Sequence, residues 1–151
     1  NLIQHAGVVL GMGGIAGHIM CQASCEDKGY FGRAVNVQEI SAVTAACMLM
    51  KVEDFEAVGG FDEEFVVAFN DIDLCMKERA AGKKVVFTPY AELYHYESKS
   101  RGMEDTPEKQ FRFEKETKHF EEKWGEHMSK GDPYYNPNLS LKEADCSLRE
   151  D

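Results

Sequence analysis

The sequence predicts an α/β domain, and three observations predict it. Short apolar runs carrying β-branched residues lie at 42–50 and 85–88. Apolar residues recur at helical spacing over 52–58, 70–82 and 106–125. Glycine, asparagine and proline stand at the joints between these segments, where chains turn. At 151 residues the chain fits one domain, which at this size buries about 70% of the surface of its unfolded form.

The first region is rich in glycine: Gly7, Gly11, Gly13, Gly14 and Gly17. The run Gly11-Met12-Gly13-Gly14-Ile15-Ala16-Gly17 has the glycines of a dinucleotide loop. It lacks that loop's setting, because no helical pattern follows and no acidic residue marks a second strand. It reads as a flexible loop or a tight bend, able to close over a ligand. Ala42 to Met50 reads as a buried strand, and its small residues Ala45 and Ala46 would let another group approach the backbone. A short helix is expected at Val52 to Val58, with Val52, Phe55 and Val58 on one side. Gly59 is its natural C-terminal cap, since glycine takes positive φ without steric cost.

Gly60 to Phe65 reads as a turn with aromatic anchors. Asn70 is expected to cap a second helix, with Asp71 and Asp73 at the positive end of its dipole and Gly82 at its end. Ile72, Cys75 and Met76 give this helix an inner face. Val85 to Thr88 is a short strand stopped by Pro89, and 91–97 a second extended segment carrying Tyr94, His95 and Tyr96. A longer helix starts with Thr106 as cap and Pro107 in the first position. Phe113, Thr117, Phe120 and Trp124 share one face, Glu114 and Lys118 form an i, i+4 pair, and Gly125 can end it. From Gly131 onward, Pro133 and Pro137 suggest an extended tail draped on the surface.

Composition narrows the function. A net charge of −10 argues against a general nucleic-acid binder, which needs a basic face to release counterions. It leaves room for a nucleotide bridged to acidic groups by a divalent metal. No apolar run approaches the ~20 residues that span a bilayer, and the start has neither a basic nor an apolar signal region. The chain has no initiator Met, so it is expected to be a piece of something longer. Cys21, Cys25, Cys47, Cys75 and Cys146 are odd in number and irregular in spacing, a poor disulfide framework that fits a reducing cytoplasm. Cys47 and Cys75 lie in apolar runs and read as small core residues. Cys21 and Cys25 lack the second pair of a zinc site.

Two constellations could carry chemistry. In Phe69-Asn70-Asp71-Ile72-Asp73, one carboxylate could face a cleft as a general base; equally, acidic residues favour a helix's first turn by ~0.3–1 kcal/mol each. In Tyr94 to Gly102, Lys99 and Arg101 stand among Ser98, Ser100 and Gly102, a mixture that suits an anionic group but also a solvated turn.

The order of these motifs is more specific than either alone. Gly59-Gly60-Phe61-Asp62-Glu63-Glu64-Phe65, then Asn70-Asp71-Ile72-Asp73-Leu74-Cys75, then Gly82, then His95 with Ser98 and Ser100, resembles the second half of family-2 glycosyltransferases of the GT-A fold. The similarity is to bacterial enzymes that build O-antigen and related surface polysaccharides. Gln4-His5-Ala6-Gly7, Gly17-His18 and the tail from Asp132 to Ser140 extend it over most of the chain.

The resemblance implies a C-terminal, acceptor-side part of that fold, a mixed sheet with flanking helices whose N-terminal nucleotide-binding half is missing. It divides a single partial domain, 1–151, into a Gly-rich loop region (1–41), a core with base and His loop (42–102), a long helix (103–128) and an extended tail (129–151). It implies inverting, Mn²⁺- or Mg²⁺-dependent transfer from a nucleotide-sugar donor to a glycan or lipid-linked acceptor. Asp71 matches the catalytic base, although the usual acidic residue before it is Asn70 here, which leaves Asp73 as the alternative. His95 matches a metal-site His, and Ser98, Lys99, Ser100 and Arg101 would bind the leaving diphosphate. The donor-side Asp-x-Asp motif has no counterpart in this chain: Asp71-Ile72-Asp73 has that spelling at the base's position, so the isolated chain is expected to be inactive. The implied site of action is the cytoplasm, near the inner face of the membrane through the rest of the protein.

Two other classes stay open. One is a binding or interaction module that keeps the fold without chemistry. The other is a metal-dependent hydrolase using His18, His95 and the carboxylates, which lacks a His pair at helical ligand spacing. Absence of the nucleotide half would uncover a sheet edge and apolar surface, which tend to pair with a second copy. Light scattering at high concentration should therefore show a homo-oligomer; a clean monomer would refute that expectation.

Overall fold

The computed structural model describes residues 1–96 and 106–150. It is a small α/β domain with two small sheets and three helices. In chain order these are β1 (Val8–Leu10), β2 (Ala16–His18), β3 (Gln38–Glu39), α1 (Val52–Ala57), α2 (Asn70–Ala80), β4 (Val86–Phe87) and α3 (Pro107–Ser129), with short 3₁₀ turns at Met12–Gly14, Tyr30–Gly32 and Ala45–Cys47. β1 pairs antiparallel with β2, and β3 antiparallel with β4. Both described sheets are thus two-stranded and antiparallel rather than one mixed sheet. Among the described residues, no helix is long and apolar enough to cross a membrane.

The Gly-rich region is not a loose loop. Val8, Val9 and Leu10 form a strand buried on both faces. Val8 and Leu10 point into a core shared with Phe65, Ile72, Cys75, Met76, Phe120 and Trp124. Val9 points the other way, into a second core with Ile19, Met20, Tyr135 and Leu139. Alternation along a strand splits the three side chains between two cores. Glycines then permit the tight hairpin that returns the chain as β2.

Four sequence expectations need correction. Ala42 to Met50 is not one buried strand. Ala42 alone bridges Val8, and the chain then bends into the Ala45–Cys47 turn, leaving Cys47 exposed. Cys75 is buried as expected, and burial first of all pushes its thiol up to about 11. Asn70 does not cap α2; it is the first helical residue, and Phe69 precedes it in a left-handed conformation with φ 63°. Gly125 does not end α3, which continues to Ser129 and stops before Gly131 at φ 78°. The tail is mostly exposed, but it is anchored at several points. Asp132 accepts hydrogen bonds from Leu10 N and Tyr134 N, each at 2.8 Å, and Tyr135 and Leu139 are buried.

No side chain caps the start of α2, but the segment leading into it is fixed from a distance. The carboxylate of Glu116, 1% exposed on α3, accepts hydrogen bonds from Val67 N at 3.0 Å and Ala68 N at 2.8 Å. A negative group is thereby fixed just before the start of α2, where the helix dipole favours it. At the other caps the chain behaves as its sequence suggests. Thr106 accepts from Lys109 N at 3.4 Å, and Gly60 turns back so closely that a Cβ there would meet the Phe55 ring at 2.9 Å.

Two helices and a turn meet on Asp73, which is fully buried. Its Oδ1 accepts from Trp124 Nε1 and pairs with Lys123 Nζ, each at 2.8 Å, while Lys77 Nζ lies 3.5 Å from Oδ2. Lys123 also holds Asp62 at 2.7 Å, and with His119 keeps that carboxyl well below the usual range. Removing one member of a buried charge cluster strands the others. Asp73→Ala should therefore lower the unfolding free energy by about 3–5 kcal/mol in urea titrations at neutral pH; a loss below about 1 kcal/mol would show the cluster to be dispensable.

Candidate functional site

Asp71 lies two residues before Asp73 and has a different environment. It is half-buried in the first turn of α2. Its Oδ2 accepts from Ala45 N and its Oδ1 from Ile72 N, both at 2.9 Å. Each oxygen keeps capacity for a further donor, so the carboxylate is oriented without being saturated. Asp73 has no such freedom, enclosed as it is by Lys77, Lys123 and Trp124.

The Thr44–Cys47 segment holds Asp71 in place. Thr44 Oγ1 accepts from Ala46 N at 3.4 Å, capping a single 3₁₀ turn and presenting Ala45 N outward. The small side chain at Ala45 admits the carboxylate to the backbone, the approach its sequence allows. Thr44 N in turn donates to His5 Nε2 at 3.4 Å. A line of polar contacts thus runs from the first residues of the chain, through this turn, to Asp71.

That line assigns the protons on two histidines. His5 Nε2 accepts, so its proton sits on Nδ1, which is buried without a hydrogen-bond partner among the described residues. His18 packs edge-on against it with ring centroids 4.9 Å apart. His18 Nδ1 donates to Gln4 O at 3.1 Å; Gln4 Nε2, 3.3 Å from the same nitrogen, is then a neighbour and not its donor.

The remaining expected site residues are not gathered around Asp71. His95 is exposed in segment 91–96, which has no regular secondary structure, and Tyr94 and Tyr96 beside it are also exposed. Ser98, Lys99, Ser100 and Arg101 lie outside the described residues. No three His, Cys, Asp or Glu side chains converge as a cation site among the described residues. His5, Thr44 and Glu116 support the Asp71 region without a local sequence signal, since their partners lie 26 or more residues away in the chain or act through backbone N–H groups.

Known proteins match this chain in part. It is 56% identical over 147 residues to the uncharacterized protein y4gI of Sinorhizobium fredii, an alignment covering 97% of this chain and 16% of that protein. It is 39% identical over 155 aligned positions to the O-antigen biosynthesis protein RfbC of Myxococcus xanthus, covering 97% of this chain and 11% of that protein. A 60-residue stretch, 40% of this chain, is 35% identical to an N-acetylglucosaminyl-diphospho-decaprenol L-rhamnosyltransferase of Mycobacterium tuberculosis, covering 20% of it. The chain therefore spans only a small part of the relatives it matches. No protein-family profile matches it, and no solved structure does.

The site carries a pH signature of its own. Burial first, and the His18 ring second, hold the His5 imidazole down to about 3. An unfolded histidine protonates near ~6.5, so between these values the unfolded chain binds more protons. Stability should be full above ~6.5 and fall as the pH drops toward 3. His5→Gln should flatten that limb in urea titrations run across the range; an unchanged slope would assign it to other groups.

Proposed function

We propose that this chain is the acceptor-side part of a glycosyltransferase of polysaccharide biosynthesis, working by inverting transfer of a sugar from a nucleotide-sugar donor to a glycan or lipid-linked acceptor. The similarity over 97% of the chain to an O-antigen biosynthesis protein carries this reading. The shorter match to a rhamnosyltransferase agrees with it.

Asp71 is the proposed base. Its carboxylate is accessible and held by Ala45 N and Ile72 N, whereas Asp73 is consumed by the charge cluster behind it. In the transfer, the acceptor hydroxyl oxygen forms a bond to the anomeric carbon while the bond from that carbon to the diphosphate oxygen breaks. The acceptor proton passes to Asp71, and the diphosphate leaves with the bonding pair. A positioned base is typically worth ~10²–10⁴ in rate. The two backbone hydrogen bonds fix the direction in which the carboxylate points, which serves the same step by orientation.

The expected divalent ion does not fit these residues by themselves, since no cation site forms among the described ones. The step above is therefore written through the chain's own groups. His95 remains in the proposal as a single metal ligand, and Ser98 to Arg101 as the diphosphate-binding segment.

In the intact protein, a donor screen with Mg²⁺ or Mn²⁺ should reveal sugar transfer. Asp71→Asn should reduce it at least ~10²-fold while leaving donor affinity nearly unchanged. Substantial turnover in that variant would remove Asp71 from the role of base.

A further inference from the structure

A cavity of about 390 Å³ opens between the β1–β2 hairpin, the residue preceding α2, the face of α3 and the C-terminal tail, lined among others by Ile15, His18, Phe69, Phe113, Thr117 and Lys142. Its size lies within the ~300–1,000 Å³ of small-ligand sites. The mix of walls is specific. Phe69 and Phe113 stand side by side, with ring centroids 5.5 Å apart and planes 38° apart, and form one continuous aromatic surface. Phe113 is 43% exposed, although Phe120 and Trp124 on the same helix are buried.

The polar groups lie around that surface. His18 spends its Nδ1 proton on Gln4 O, which leaves its other ring nitrogen as an acceptor. Lys142 adds an ammonium donor from the tail. The backbone supports the arrangement at a cost. Phe69 holds φ 63°, a conformation that disfavours a bulky residue by ~1–2 kcal/mol, and such strain concentrates at ligand sites. Glu116 fastens the two residues before Phe69 and keeps the ring in place.

A ligand matched to this cavity has one apolar C–H face for the aromatic surface and an edge rich in hydroxyls for His18 and Lys142. A pyranose ring has that shape and chemistry. We infer that the cavity binds a pyranose unit of a glycan, and that this unit belongs to the acceptor, an assignment that rests on the transferase reading above. Phe69 immediately precedes α2, so the subsite adjoins the helix turn that carries Asp71.

The test is ligand-observed NMR on the intact protein with methyl glycosides of glucose, N-acetylglucosamine and rhamnose, together with acceptor kinetics. At least one glycoside should bind. Phe113→Ala should weaken it about tenfold or more and raise acceptor KM with little change in kcat. Lys142→Ala should weaken binding several-fold while leaving the melting temperature unchanged, because its side chain is exposed. A Lys142 that makes no contact with the sugar would leave affinity untouched. Asp71→Asn should keep glycoside binding and lose transfer. Affinities within twofold of the parent in both cavity variants would overturn the site, as would binding of octyl phosphate but of no glycoside. If glycosides bind and respond to the variants while the parent transfers no sugar to any acceptor, the subsite stands and the transferase reading falls.

Discussion

A carboxylate removed from water needs donors, and Asp73 finds them for its Oδ1 on α3, while its Oδ2 has only the Lys77 ammonium at 3.5 Å and no hydrogen bond among the described residues. Lys77 comes from its own helix, Lys123 and Trp124 from α3, and Lys123 also reaches Asp62 in the turn that follows α1. The angle and rotation of α2 against α3 are therefore tied to satisfying one buried charge. Because Asp71 lies two residues earlier on the same helix, its direction follows from that fit. The buried acid serves the structure, and its half-buried neighbour keeps acceptor capacity beyond its two backbone hydrogen bonds. Glu116 repeats the device ahead of the helix, where its carboxylate binds the backbone N–H groups of Val67 and Ala68.

β1 organises the remainder. Three consecutive apolar residues are divided between two cores, so a short strand joins what would otherwise be separate clusters. Its pairing with β2 shapes the hairpin whose tip forms one side of the cavity, and its bridge to Ala42 leads directly into the turn that grips Asp71. Apolar packing and site geometry thus share the same few backbone hydrogen bonds. A change at Val8 would be felt in both.

How much of this was legible depended on whether the cause was local. The start of α3 was readable because Thr106 and Pro107 act within one turn. α1 and the glycines after it were readable for the same reason, as was the inner face of α2 at Ile72, Cys75 and Met76. Ala42 to Met50 misled because apolar composition alone does not separate a strand from a bridge followed by a turn. Asn70 misled because a capping preference does not fix where a helix starts: Phe69, one residue earlier, takes the left-handed conformation and Asn70 is already helical. The exposure of the tail was readable from its prolines, but the anchoring of Tyr135 and Leu139 was not, because their burial depends on the opposite end of the chain. At the site, the acidic pair could be found from sequence, but its division into a buried and an available carboxylate needed Lys123 and Trp124 in place.

The hydrogen bond from Leu10 N to Asp132 spans 122 positions, and this has a consequence for the order of folding. Closing so long a loop is entropically expensive until something already brings its ends together. α2 and α3 can meet over a shorter separation, with Asp73 and Trp124 only 51 positions apart. Collapse of the helical core onto β1 would then carry the tail toward the hairpin, and the second core would close last. The cavity borders both cores, so its walls are complete only when that final closure has occurred. The closure that joins the two ends of the chain is thus also the one that completes the pocket.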